Sequence, residues 1–315
     1  MTLPTITKIT ETKSTDFESL VWHAYSTYLK SSGKVFTPYV ASLLRMLDYA
    51  IYCMMKASAD YEEVAKDPYI YDLLGRFLVY LTRHRRLILN VAEAETGVRP
   101  SMSREAYQSY QETLRLARDA ADVMAGARAC IRYFVTAARA GVFYYNHKPL
   151  REVLLMIVER DYDYNNYMDD FLGRFVGEPD AFEPSLDVLN IVLELCLSDF
   201  PHEPVAQQPP RRWVEVGELN GGRMKKILVD GWLEVLVVKT MNRVFAMENF
   251  CTHEGGFLSD GIVETYSISC IDHLAKFDVR SGRVLTQPHH GLARPLATFP
   301  VKMEQGKLYV GLYVE

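Results

Sequence analysis

Two short stretches near the C-terminus combine the ligand types that transition metals use. Cys251-Thr252-His253 sets a thiol and an imidazole two positions apart, and Cys270-Ile271-Asp272-His273 sets a second such pair three apart. Together they make a Cys2His2 donor set on two separate segments, which iron–sulfur chemistry and zinc chemistry can both use. The other cysteines, Cys53, Cys130 and Cys196, stand in apolar helical stretches and are expected to be buried, unreactive thiols. Five cysteines in 315 residues are too few and too scattered for a disulfide framework, and the odd count argues against full pairing.

The segments that carry these residues differ sharply from the rest of the chain. From about Asp16 to Phe200 apolar residues recur every three or four positions, which predicts an all-α domain over residues 1–200. Thr37-Pro38 and Asp67-Pro68 each set a capping side chain before a proline, so helices are expected to begin there. Ser101-Met102-Ser103 opens a periodic stretch running to Gly141 with an interruption near Gly126, and Gly33 and Gly97 read as helix stops. Further helices are expected at about 149–175 and 185–199. Residues 201–212, with four prolines, read as a stiff, extended linker. Beyond Trp213 the pattern turns to short β-type runs separated by Gly221-Gly222, Asp230-Gly231 and Gln305-Gly306, which predicts a small antiparallel β-sandwich over residues 213–315. The fold class is therefore multidomain, all-α followed by all-β.

The residues around the two Cys/His pairs separate iron from zinc. Leu258-Ser259-Asp260-Gly261 follows the first pair, and Phe277-Asp278 with Gly282 follows the second. Pro288, Pro295-Leu296, Phe299-Pro300 and Gly306-Lys307-Leu308 continue the pattern. This stretch resembles the Rieske family over roughly residues 213–315. The resemblance implies one 2Fe-2S cluster per chain, with Cys251 and Cys270 on one iron and His253 and His273 on the other, and imidazole ligands that raise the potential above that of all-cysteine clusters. It also implies imidazoles at the domain surface, where an electron must leave. Respiratory-complex members carry an extra cysteine in each loop. This domain has none, so the likeness is to the ferredoxins and electron-entry domains of aromatic-ring oxygenase systems. Asp272 sits where many of those relatives have an aromatic or apolar residue, and its charge should favour the oxidised form. His289 and His290 read as solvent-exposed loop histidines.

The helical part offers less chemistry. Its three histidines, His23, His84 and His147, have no acidic residue three or four positions away, which disfavours a carboxylate-bridged di-iron site. His23 reads as a hydrogen-bonded core residue ahead of a haem or metal ligand, His84 in Arg83-His84-Arg85-Arg86 as part of a solvated helix face or an anion contact, and His147 before Lys148-Pro149 as a helix cap or a loop residue. Seventeen of the twenty tyrosines precede the linker. They read as a tyrosine-rich core with hydroxyls reaching the surface, with a pocket for a small aromatic ligand as the alternative. Glu159, Asp161, Asp163, Asp169 and Asp170 read as a solvated acidic face.

A formal charge of -5 and a pI near 6.0 give no basic surplus for nucleic acid. No run is long enough for a membrane span and the amino terminus lacks a signal-peptide layout, so the cytoplasm is the expected location. The functional expectation is a Rieske electron carrier that passes single electrons among redox partner proteins, a reductase and an oxygenase. The alternative is a self-contained oxygenase whose helical domain binds substrate, with a haem or a further iron, and is fed by its own cluster.

Overall fold

The computed structural model describes residues 14–30, 36–60, 66–160, 168, 172–173, 183–198, 209–219, 222–289 and 291–314. The chain divides into two compact units, Met1–Gln207 and Gln208–Glu315. As expected, the first is all-α and the second is built from small antiparallel sheets. Of the 201–212 stretch, residues 201–208 lie outside the described residues.

Seven long helices are described in the first unit: α1 (Ser14–Leu29), α2 (Phe36–Asp60), α3 (Pro68–Thr96), α4 (Arg104–Leu116), α5 (Ala120–Tyr144), α6 (Lys148–Val158) and α7 (Leu186–Leu197). Local signals set their ends. The Asp67 carboxylate accepts from the N–H groups of Tyr69 and Ile70, with Pro68 at the first position, and Gly97 closes α3 in the left-handed conformation at φ 71°. Ser103 caps α4, and His147 Nδ1 accepts from Leu150 N at 3.2 Å to cap α6, as expected of it. Gly33 and the acidic residues Asp161, Asp163, Asp169 and Asp170 lie outside the described residues, as does most of the segment expected to be helical up to residue 175.

The expected interruption at Gly126 falls elsewhere. The helix breaks at Ala117–Asp119, where the Asp119 carboxylate accepts from Asp122 N and starts α5. Gly126 is in mid-helix because a side chain would not fit: a Cβ there would lie 2.5 Å from Val188 Cγ1 and 3.3 Å from the Tyr49 hydroxyl. Alanine and glycine let α1, α2, α6 and α7 close around α5, which is buried along its whole length.

Two buried carboxylates inside this unit are paired. Glu18 accepts from Arg132 at 2.7 Å and from Thr136 at 2.6 Å. Asp48, fully buried, holds Arg85 of α3 and accepts from Ser103 N at 2.7 Å, which ties the α3–α4 connection to α2.

The second unit has three sheets, with strand orders β1-β11-β10, β2-β3-β4-β9 and β5-β6-β7-β8. The strands are β1 (Arg212–Glu215), β2 (Met224–Val229), β3 (Leu233–Thr240), β4 (Arg243–Glu248), β5 (Ile262–Glu264), β6 (Ser267–Ser269), β7 (Lys276–Asp278), β8 (Val284–Thr286), β9 (Thr298–Phe299), β10 (Val301–Glu304) and β11 (Lys307–Leu312). One buried cluster joins the second and third sheets: Leu236, Val238 and Met247 pack with Ile268, Phe277, Val279 and Leu296, and Cys251 and Cys270 belong to it.

Candidate metal centre

The two Cys/His segments are loops of the same construction. The first spans 251–256 and is closed by the bridge Phe250↔Phe257, and the second spans 270–275 between the paired ends Ser269↔Lys276. In each, the cysteine N–H donates to the carbonyl five residues on: Cys251 N to Gly256 O at 2.7 Å, and Cys270 N to Ala275 O at 2.9 Å. Each turns through a left-handed residue at the fifth position, Gly255 at φ 80° and Leu274 at φ 61°. Each cysteine is thus pinned at a loop base, inside the core, with its histidine further along toward the tip.

Glycine and polar anchors hold these loops in place. A Cβ on Gly282 would run into the Leu296 carbonyl, and one on Gly261 into the Ser269 carbonyl, so the Leu-Ser-Asp-Gly and Phe-Asp…Gly marks are sites of close backbone approach. Asn249, fully buried, donates to Glu234 Oε2 at 2.9 Å and accepts from Ser259 N at 2.9 Å, fastening both ends of the first loop. The Thr252 hydroxyl donates to Arg294 O at 2.6 Å and accepts from Arg294 N at 2.9 Å, which ties that loop to a third one at 287–297.

Cys251 and Cys270 are 3% and 2% exposed, and their thiols are near neighbours. Burial, reinforced by Cys270, pushes the Cys251 thiol up to about 12, while the backbone N–H groups of His253 and Glu254 act in the opposite sense. Two adjacent buried thiolates need a cation to exist at neutral pH, which is what a metal supplies. The rings of His253 and His273 stand with centroids 4.7 Å apart and planes 84° apart. Their Nε2 atoms point to Glu254, at 3.6 Å from Oε1 and 3.7 Å from Oε2 respectively. That leaves Nδ1 of each ring as the nitrogen available to a metal, and Nδ1 of His253 is buried.

The expected surface position holds for one imidazole only. The His273 side chain is 40% exposed, whereas that of His253 is 6% exposed. The third loop covers the latter: a Cβ on Gly291 would lie 3.0 Å from His253 Nε2. His289 is exposed as expected, and His290 lies outside the described residues.

Among the described residues, His253, Glu254 and His273 are the group whose donor atoms converge within 4.8 Å, and neither cysteine sulfur belongs to it. A single tetrahedral zinc needs four donors at about 2.0–2.3 Å from one point. A two-iron cluster needs one donor pair for each iron, and the neighbouring buried cysteines and the neighbouring imidazoles would supply them. The donor set fits the cluster.

The helical unit's histidines are placed differently from expectation. His23 is exposed on α1. His84 is buried, edge-on to Tyr80 at 4.7 Å, because it continues the inward stripe of Leu81 and Ile88. Burial, with help from Arg83 and Arg160, pulls its pKa down to about 4. Cys53, Cys130 and Cys196 are buried free thiols, as expected. Some tyrosine hydroxyls are satisfied inside, where Tyr25 donates to Cys196 O, Tyr39 to Ala137 O, and Tyr49 pairs with Thr113, whereas Tyr69, Tyr71 and Tyr107 are exposed. A crevice of about 540 Å³ does exist, lined by residues including Phe36, Val40, Leu44, Arg45 and Val98, and no tyrosine is in its lining. No described helix is long and apolar enough to cross a membrane.

The fold and donor set of the second unit are those of an iron–sulfur domain. A family model for the Rieske 2Fe-2S domain matches residues 212–300. The chain is 30% identical over 104 residues to the ferredoxin component of the naphthalene 1,2-dioxygenase system of Pseudomonas aeruginosa, covering 32% of this chain and 96% of that protein. It is 34% identical over 96 residues to the ferredoxin component of biphenyl 2,3-dioxygenase of Rhodococcus jostii (strain RHA1), covering 30% and 86%. Among solved structures, the ferredoxin of carbazole 1,9a-dioxygenase from Nocardioides aromaticivorans IC177 is 28% identical with a TM-score of 0.29, covering 33% and 99%. Through its second unit the chain belongs to the Rieske 2Fe-2S family, and that unit carries a 2Fe-2S cluster. The family match leaves residues 1–211 outside it.

Proposed function

We propose that this protein is a Rieske electron carrier in which Cys251 and Cys270 hold one iron and His253 and His273 the other. The observation that carries the reading is the matched pair of loops, each with its cysteine pinned in the core and its histidine toward the tip. When bound, the cluster supplies one-electron chemistry. The chain's own part is to bury the sulfurs, to hold the two imidazoles side by side, and to leave His273 open as the approach for a partner. By likeness to the dioxygenase ferredoxins, the proposed partners are a reductase and an oxygenase-type protein. A cytoplasmic location belongs to the same proposal, and the free thiols of Cys53, Cys130 and Cys196 are what a reducing compartment maintains.

The domain limits 1–200 and 213–315, with 201–212 as linker, are part of this reading. It treats the helical unit as a docking or assembly domain, for which any small aromatic ligand would enter the crevice beside Leu44. The test is reduction of the purified protein by a ring-oxygenase reductase, followed by single-electron delivery to the matching oxygenase. Turnover of an organic substrate with only a reductase added would overturn the carrier reading. Calorimetric titration with 1-naphthol should give binding that Ala41→Trp, in the crevice wall, removes. Binding unaffected by that substitution would place the ligand elsewhere.

A further inference from the structure

Glu254 follows His253 directly, yet its carboxylate serves both histidine-bearing loops. Oε1 lies 3.6 Å from His253 Nε2 and Oε2 lies 3.7 Å from His273 Nε2. One oxygen faces each ring, so a single carboxylate spans the two imidazoles. The rings themselves stand nearly perpendicular, and a carboxylate with two divergent oxygens can meet both. Its side chain is 44% exposed, and among the described residues no lysine or arginine is paired with it.

We infer that Glu254 is a positioning residue: it orients both histidine ligands from outside and holds the cluster at a lower potential than the same site would have without it. The inference rests on the assignment of His253 and His273 as cluster ligands. Two effects follow from one contact. A carboxylate 3.6 and 3.7 Å from the two Nε2 atoms attracts both rings electrostatically and favours the orientation that turns each Nδ1 toward a metal. A negative charge facing both imidazoles would disfavour adding an electron to a cluster that they hold, so the oxidised state would gain. Glu254 is itself 44% exposed beside His273, the one imidazole of the two that a partner protein can reach. Its charge therefore acts on the cluster before any partner contributes its own.

The test compares the intact protein with Glu254→Gln, at pH 7, by redox titration of the visible spectrum. Glutamine keeps the shape and removes the charge. The reduced-to-oxidised ratio at a fixed poise should rise about tenfold, equivalent to about 59 mV for a one-electron couple. The rise should shrink as salt is added, because the carboxylate is half exposed and screenable. Glu254→Asp, which keeps the charge but cannot reach both rings, should give a smaller rise, and Glu304→Gln on β10 should give none. Iron and sulfide per chain should be unchanged in all three. Loss of iron in Glu254→Gln would make Glu254 a ligand or a structural prop and overturn the inference. So would an unchanged potential in a fully loaded variant. Failure of the unaltered protein to carry iron and sulfide would instead sink the cluster assignment on which the inference stands.

Discussion

Asp272 occupies the space in which Gly256 would carry a side chain. A Cβ on Gly256 would collide with the Asp272 carboxylate and lie 3.2 Å from Cys270 Sγ, so the second cluster loop packs against the first where the first has no side chain. Gly256→Ala should force the loops apart, with a cost of about 1–3 kcal/mol from overpacking. Thermal loss of the visible absorbance should come at lower temperature, with helical circular dichroism unchanged. A variant that melts like the parent would show that Asp272 can move aside freely.

Asp272 also has an electrostatic consequence. Its Oδ2 lies 3.7 Å from Cys270 Sγ, a contact in which a thiol can donate but a thiolate cannot. Against a metal-bound sulfur the carboxylate is an added negative charge, and it favours the oxidised state. Asp272→Asn should raise the potential by about 30–60 mV, that is, up to about tenfold in the reduced-to-oxidised ratio. A potential that is unchanged or falls would show that the carboxylate turns to solvent once iron is present.

In the helical unit, Glu18 and Arg132 form an ion pair in which each side chain is 3% exposed, and Thr136 adds a hydrogen bond to the same carboxylate. Removing one member leaves the other charge buried. Glu18→Ala should therefore destabilise the unit by about 3–5 kcal/mol, read as a lower denaturation midpoint of the helical signal. Glu18→Ala combined with Arg132→Met should recover much of that loss. If the double variant is no more stable than Glu18→Ala, the pair is not the source.

His84 makes the helical unit sensitive to acid. Its pKa is lowered to about 4 in the fold from 6.5 in an unfolded chain. Between these values the unfolded state binds a proton that the folded state refuses, so stability is full above pH 6.5 and declines as pH falls toward 4. The loss should amount to about 2–3 kcal/mol for this group, given its depth. His84→Gln should flatten that part of the stability profile, measured by urea denaturation from pH 7 to pH 4. An equally steep profile in the variant would assign the acid sensitivity to carboxylates.

What could be read from the sequence was local. The Asp67-Pro68 start, the Gly97 stop, the Ser103 and His147 caps and the two Cys/His loops are each signalled within a few residues of where they act. The break at Asp119 was equally local, but it was masked by Gly126, whose role as a close contact for Val188 and Tyr49 depends on residues far along the chain. His84 was obscured by its arginine neighbours, although its spacing from Leu81 and Ile88 sets it on the buried face, and Arg85 is itself turned to Asp48. The bridge from Glu254 to His273, the cover of Gly291 over His253 and the Glu18–Arg132 pair join residues 19, 38 and 114 positions apart, and only the fold brings them together.

The central claim is that two thiols and two imidazoles from matched loops hold a 2Fe-2S cluster in a domain separate from the helices. Quantifying iron and acid-labile sulfide in the intact protein and in Cys251→Ser, alongside far-ultraviolet circular dichroism, tests it most directly. The intact chain should hold the iron and sulfide of one 2Fe-2S cluster, and Cys251→Ser should lose both while its helical signal stays the same. Zinc in place of iron, a full cluster retained in Cys251→Ser, or helical signal lost in step with iron would contradict it.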